Sequence, residues 1–268
     1  MVDQRLHQRE IGREASSRAR CYTWSMYPQI TLGSVHIASF SLMLVVAFLV
    51  ATMLASRQAR FLNFSPMIVW GLLPWAAVAG LTGAQLYSVI INLATGDDLA
   101  TAFANRGQVF YGGLIAGTAV AAWRFRRAGL PLVWMFDYGA PCVAIAHAIG
   151  RIGCFLVGDD YGIPTSLPWG VAFPHGAPPS TAQYLRSMGA HVHADIPAAT
   201  VLAVHPVQLY EAAVLTVLAA WLWRASRRPH RPYAVVAVYA MAYGSWRFLI
   251  EFWRPKNDQL LGILTSAQ

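Results

Sequence analysis

The sequence predicts an all-α fold: a polytopic bundle of membrane-spanning helices with a small extracytoplasmic insertion. Three observations predict it. Of the 268 residues, 56% are hydrophobic and only 12% are charged, against about 25% charged in a soluble domain. The apolar residues gather into six runs, and a helix crosses a bilayer with about 20 mainly apolar residues. The arginines cluster at alternate ends of those runs, as expected of loops facing an anionic cytoplasmic leaflet.

The runs cover residues 36–55, 67–93, 109–123, 132–157, 207–223 and 233–253. The third is short and Gly-rich, which suits a tilted or partly re-entrant segment. "SRQAR" follows the first run, "RFRRAG" the third and "RASRRPHRP" the fifth. Positive-inside orientation therefore puts those ends in the cytoplasm. The chain start and the loop over residues 159–205 then lie outside. In that loop "YGIPTSLPWGVAFP" suggests turns and a short hairpin, and "STAQYLRSMGA" a short amphipathic helix. Residues 1–25 are polar and Arg-rich on the wrong side for their charge. They read as a disordered or mis-assigned extension, with "MYPQITLG" a natural start, leaving residues 26–268 as one membrane domain.

The net charge of +8 fits this leaflet pattern rather than nucleic acid. The three cysteines form no framework, since Cys142 and Cys154 are about 18 Å apart on one helix at ~1.5 Å per residue. P-loop, GxGxxG, HExxH and GxSxG motifs are missing, and no cofactor is implied. "HVH" at His191 and His193 lacks the further ligands of a functional metal site.

Chemistry points instead to charges inside the apolar runs, where they are costly and usually functional. Arg151 lies in the fourth run with no acid within four residues. Arg247, Glu251 and Arg254 share a helical face in the sixth. Their ion pair either locks that helix or serves a ligand. "HPVQLYEA" opens the fifth run and adds Glu211. Neither one-sign charge rings nor matched broken helices are visible, so a channel or transporter finds no support. Arginine is suited to gripping a phosphate with its planar fork, and the phosphate at that depth is a lipid headgroup. His147, one turn before Arg151, is either a packing imidazole or a proton acceptor beside that phosphate.

"GRIGCFLVGDDYG", "HPVQLYE", "YGGLIAG" and "YGSWRFLIEFWRPKNDQ" together resemble the prolipoprotein diacylglyceryl transferases of the bacterial inner membrane, in order, from about Ile30 to Gln268. The resemblance implies transfer of the diacylglyceryl group of phosphatidylglycerol to the lipobox Cys thiol of a preprolipoprotein. A thioether forms and glycerol 1-phosphate leaves, without metal or cofactor. It implies that Arg151 contacts the headgroup, that Arg247 is a second essential arginine, and that Glu251, Arg254 and Tyr243 serve beside it. Gly112 and Gly113, together with the box residues His205, Gln208, Tyr210 and Glu211, fall on the family's substrate-binding motifs, and Gly162 ends the signature.

Departures from the family pattern are equally specific. The resemblance implies a seventh run after residue 253, where "LLGILTSAQ" ends the sequence, as expected of a truncated chain or of a member without that helix. Cys154 stands for an Asn, Val157 for a second Asn, and Asp159 for a Glu. Tyr111 replaces the His expected as base, Gln85 an Arg, and Ala38 and Phe40 a His and a Tyr. His147 is expected to take over base duty, with Tyr111 as headgroup donor the alternative, because a phenol of pKa ~10 is a poor base. A paralogue that binds phospholipid or lipoprotein without turnover is the competing function.

Overall fold

Each apolar run folds as a helix because its side chains leave no polar partner for the backbone, so its N–H and C=O groups bond along the segment itself. The computed structural model describes residues 22–23, 29–32, 35–94, 96, 98–104 and 110–255. Its helices are α1 (Ser39–Phe61), α2 (Pro66–Ala94), α3 (Leu99–Ala104), α4 (Phe110–Arg127), α5 (Leu132–Val157), α6 (Ala182–Ser187), α7 (Val207–Ser226) and α8 (Ala234–Ile250). A 3-10 turn, Glu251–Trp253, follows α8. All six expected runs are thus helical. Among the described residues, α1, α2 and α5 are long and apolar enough to cross a membrane.

Two local expectations are corrected. The first helix starts at Ser39 rather than near His36, because β3 (Val35–Ala38) pairs antiparallel with β2 (Gln29–Leu32). The hairpin expected within residues 161–174 is not local. There β4 (Val171–Ala172) pairs antiparallel with β5 (Ala203–Val204) and parallel with β1 (Tyr22–Thr23). The expected short helix is α6, capped by the Thr181 hydroxyl, which accepts from the Tyr184 N–H. Residues 1–21 and the stretch after residue 255 lie outside the described residues, and with them most of the expected extension and the place expected for a seventh run.

The chain divides into two compact units. The first joins the described residues within 22–44, 148–214 and 243–255. Its core is aromatic: Tyr161 stacks on Phe173 at 5.1 Å and Phe155 meets Phe173 edge-on at 5.8 Å, over a fully buried Leu185 and Val204. Ser180 ties this core together, since its Oγ accepts from the Phe173 N–H and donates to the Leu202 carbonyl. Arg186 donates to the carbonyls of His193 and Ile196 and closes the following turn. The insertion is therefore a packed element rather than a loose loop.

The second unit joins residues 45–147 and 215–242. Here α2 and α4 touch through glycine: a Cβ on Gly83 would sit 2.6 Å from the Gly112 carbonyl oxygen, and one on Gly113 would sit 2.9 Å from that of Gly80. Small residues allow such backbone approach between membrane helices. Asp137, fully buried, caps α8: its Oδ2 accepts from the Tyr233 N–H at 2.7 Å and its Oδ1 from the Val236 N–H at 3.0 Å. These are the orphan donors of a helix start. Arg227 lies over the Trp223 ring at 4.3 Å and donates to Gln58 Oε1 at 3.1 Å.

Candidate active site

The charges buried in the apolar runs meet in the first unit. Arg151 in α5 is paired, though neither partner is near it in sequence. Its Nε lies 2.8 Å from Glu211 Oε2 in α7, and its Nη1 lies 2.9 Å from Asp160 Oδ2. Asp160 reaches a second guanidinium with its other oxygen, Oδ1 to Arg254 Nη2 at 2.9 Å. Arg254 Nε approaches Glu251 Oε2 at 3.9 Å, and Arg247 Nη1 is 2.5 Å from that same oxygen. The result is an alternating chain, Glu211–Arg151–Asp160–Arg254–Glu251–Arg247. Tyr243, one turn before Arg247 on α8, lies against Arg151.

Three sequence motifs reach this place through backbone contacts around Gly162. Its N–H donates to the His205 carbonyl at 2.8 Å, and the Ile163 N–H donates to the Trp253 carbonyl at 2.8 Å. A Cβ at Gly162 would meet the Trp253 carbonyl oxygen at 2.6 Å and the His205 Cβ at 2.8 Å. Only glycine lets the signature end press between the "HPVQLYE" box and the end of α8. Gln208, fully buried, donates its amide to the Asp159 carbonyl and fixes the turn after α5.

The turn carries two unlike carboxyls. Burial pushes Asp159 up to about 6, helped by the neighbouring Asp160 and opposed by the Cys154 thiol, Arg151 and Arg254. Burial would raise Asp160 too, but Arg254 and Arg151 outweigh it and hold that carboxyl below the usual range. Opposite charges nearby favour the ionised form. The Tyr210 hydroxyl accepts from the Trp169 indole N–H at 2.8 Å and lies 3.3 Å from His205 Nδ1. Burial holds the His205 pKa below its ordinary value. Cys154, Asp159 and Asp160 bring possible ligand atoms within 4.8 Å of one another. Two guanidiniums already hold Asp160, so a cation there would face their charge.

Of the residues expected at the site, Arg151, Glu211, Arg247, Glu251, Arg254 and Tyr243 come together, with Cys154, Asp159, His205 and Gln208 around them. His147 lies in the second unit, as do Gly112 and Gly113, whose backbones are occupied against α2. The side chain of Tyr111 lies outside what is described. Asp160 was not expected at the site. Its signal in the sequence is the second Asp of "GDDYG".

Known proteins match this chain along most of its length. The family model of prolipoprotein diacylglyceryl transferase matches residues 28–268. The chain is 32% identical over 238 residues to the phosphatidylglycerol–prolipoprotein diacylglyceryl transferase of Xanthomonas oryzae pv. oryzae (strain PXO99A), covering 84% of this chain and 77% of that one. It is 30% identical over 251 residues to the protein of that name from Pseudoalteromonas atlantica, covering 90% and 81%. With the Gloeobacter violaceus protein of the same name it shares 30% over 246 residues, covering 89% and 85%. The apolar helices and the paired arginines thus belong to a multi-pass membrane enzyme, and this chain is a member of the prolipoprotein diacylglyceryl transferase family.

Proposed function

We propose that the protein moves the diacylglyceryl group of phosphatidylglycerol onto the lipobox cysteine of preprolipoproteins at the outer face of a bacterial inner membrane. The observation that carries this reading is the pair Arg151 and Arg254, whose guanidiniums hold the two oxygens of one carboxylate at 2.9 Å each. Two donors so placed match two oxygens of a phosphodiester. In the reaction the cysteine sulfur, as thiolate, forms a C–S bond to the glycerol carbon. The C–O bond to phosphate breaks, and the electron pair leaves on glycerol 1-phosphate. That phosphate gains a negative charge as the bond breaks. Fixed guanidiniums in a site of low dielectric stabilise this charge more in the transition state than before it.

The thiol proton needs an acceptor. We assign it to His147, with Tyr111 donating to the headgroup. Arg247 and Tyr243 flank the phosphate, while Glu251 and Glu211 orient the arginines. His205, Gln208, Cys154 and Asp159 shape the headgroup pocket, with Gly112 and Gly113 supporting it. Six spans with the chain start and residues 159–205 outside fit the positions of the Arg clusters.

Purified protein in phosphatidylglycerol vesicles, given a lipobox peptide, tests the reading. A thioether-linked diacylglyceryl peptide is expected from the wild type, and at a rate lower by about 10²–10³ from Arg247→Ala. The substitutions at Cys154, Val157 and Tyr111 favour a second reading, a paralogue that binds lipid without turnover. Binding of phosphatidylglycerol with no thioether product would establish it.

A further inference from the structure

The guanidiniums of the ion-pair chain are already matched one for one, with the Asp159 carboxyl, of pKa about 6, beside them. Three guanidiniums, Arg151, Arg247 and Arg254, face three carboxylates, Asp160, Glu211 and Glu251. An anionic headgroup entering such a site either adds an uncompensated buried charge, which is costly, or replaces one of the acids. Only one acid is placed to leave. The Glu211 and Glu251 side chains are 1% and 7% exposed, on α7 and at the end of α8, whereas that of Asp160 is 43% exposed on the turn after α5. That turn reverses through two positive-φ residues, Gly158 at 73° and Asp160 at 56°. It folds the Asp160 carboxylate back toward an arginine nine residues earlier.

Resting on the transferase reading, we propose that Asp160 is a resident stand-in for the substrate phosphate. Its two oxygens take the seat between Arg151 and Arg254, and the carboxylate leaves that seat when a glycerol-linked phosphate arrives. The exchange of one monoanion for another leaves the net charge of the site unchanged. Its return to the same two guanidiniums competes the phosphate product away. Asp160 is thus a specificity and release residue, acting by competition rather than by contact with the reacting atoms.

The test compares wild type with Asp160→Asn and Asp160→Gly, since Asn and Gly both accept the backbone at position 160. Affinity is measured for phosphatidylglycerol in nanodiscs of a phosphate-free galactolipid, and separately for glycerol 1-phosphate in solution. Both variants should bind the lipid about fivefold more tightly, the worth of two partly exposed ion pairs no longer competing. Parallel tightening of glycerol 1-phosphate supports a seat that reads the phosphate alone. Tightening of the lipid only supports a seat that also needs the acyl chains. Unchanged or weaker lipid binding in both variants overturns the proposal, as does tightening of glycerol 1-phosphate alone. A wild type that forms no thioether sinks the transferase reading instead. It leaves this comparison decisive, because binding needs no turnover.

Discussion

Arg151 shows how a single side chain can be identified in sequence and misjudged in context. Its charge in an apolar helix marks it at once, yet its partners are nine and sixty residues away. No helical spacing rule reaches that far. Asp160 was hidden for a related reason: a loop carboxylate has no periodicity, and only the fold decides which of two adjacent acids turns inward. Arg151→Ala or Arg247→Ala should lower the transfer rate by about 10²–10³, the cost of one lost oxyanion donor, measured as thioether formed per minute. Arg151→Lys should recover little, because lysine keeps the charge but loses the fork. The elevated Asp159 gives a pH test. Its folded pKa, about 6, is above the ordinary 3.8, so the folded state holds its proton more tightly. The stability this contributes is full below pH ~3.8 and is lost as pH rises through ~6. Thermal midpoints in detergent should therefore fall more for wild type than for Asp159→Asn between about pH 4 and 6. Equal slopes would contradict the assignment. Asp137→Ala should cost about 2–4 kcal/mol by leaving two backbone donors unpaired, read from denaturant unfolding.

Elements were more legible than pairings. All six apolar runs became helices with boundaries close to those expected, because length and hydropathy suffice to mark them. Strands were poorly legible. Each of β4 and β5 has two residues, too few for alternation to show, and their pairing spans the whole insertion. The glycines divide in the same way. Gly83 and Gly112 are close-packing residues, where a Cβ would meet the facing backbone. Gly162 holds three motifs together, which its place in the signature alone does not reveal. Gly83→Val should destabilise the second unit by about 2–3 kcal/mol through overpacking, seen as a lower thermal midpoint in detergent. Gly162→Ala should reduce both stability and transfer, since its Cβ would meet the backbone of Trp253. Full activity in that variant would show that the three motifs need not meet there.

At the scale of the whole molecule, the arginine clusters set an orientation that labelling can check. In a background without Cys21, Cys142 and Cys154, Leu167→Cys should react with a membrane-impermeant maleimide in intact spheroplasts. Ala128→Cys should react only after lysis. The reverse result would invert the topology. The central claim is that a neutral arginine–carboxylate chain, built from α5, α7 and the end of α8, receives a lipid phosphate and drives diacylglyceryl transfer. Its most direct test is mass spectrometry of a lipobox peptide incubated with the purified protein in phosphatidylglycerol vesicles. The account predicts a diacylglyceryl thioether from the wild type, formed about 10²–10³-fold more slowly by Arg247→Ala. A wild type that binds phosphatidylglycerol yet leaves the peptide unmodified would contradict it.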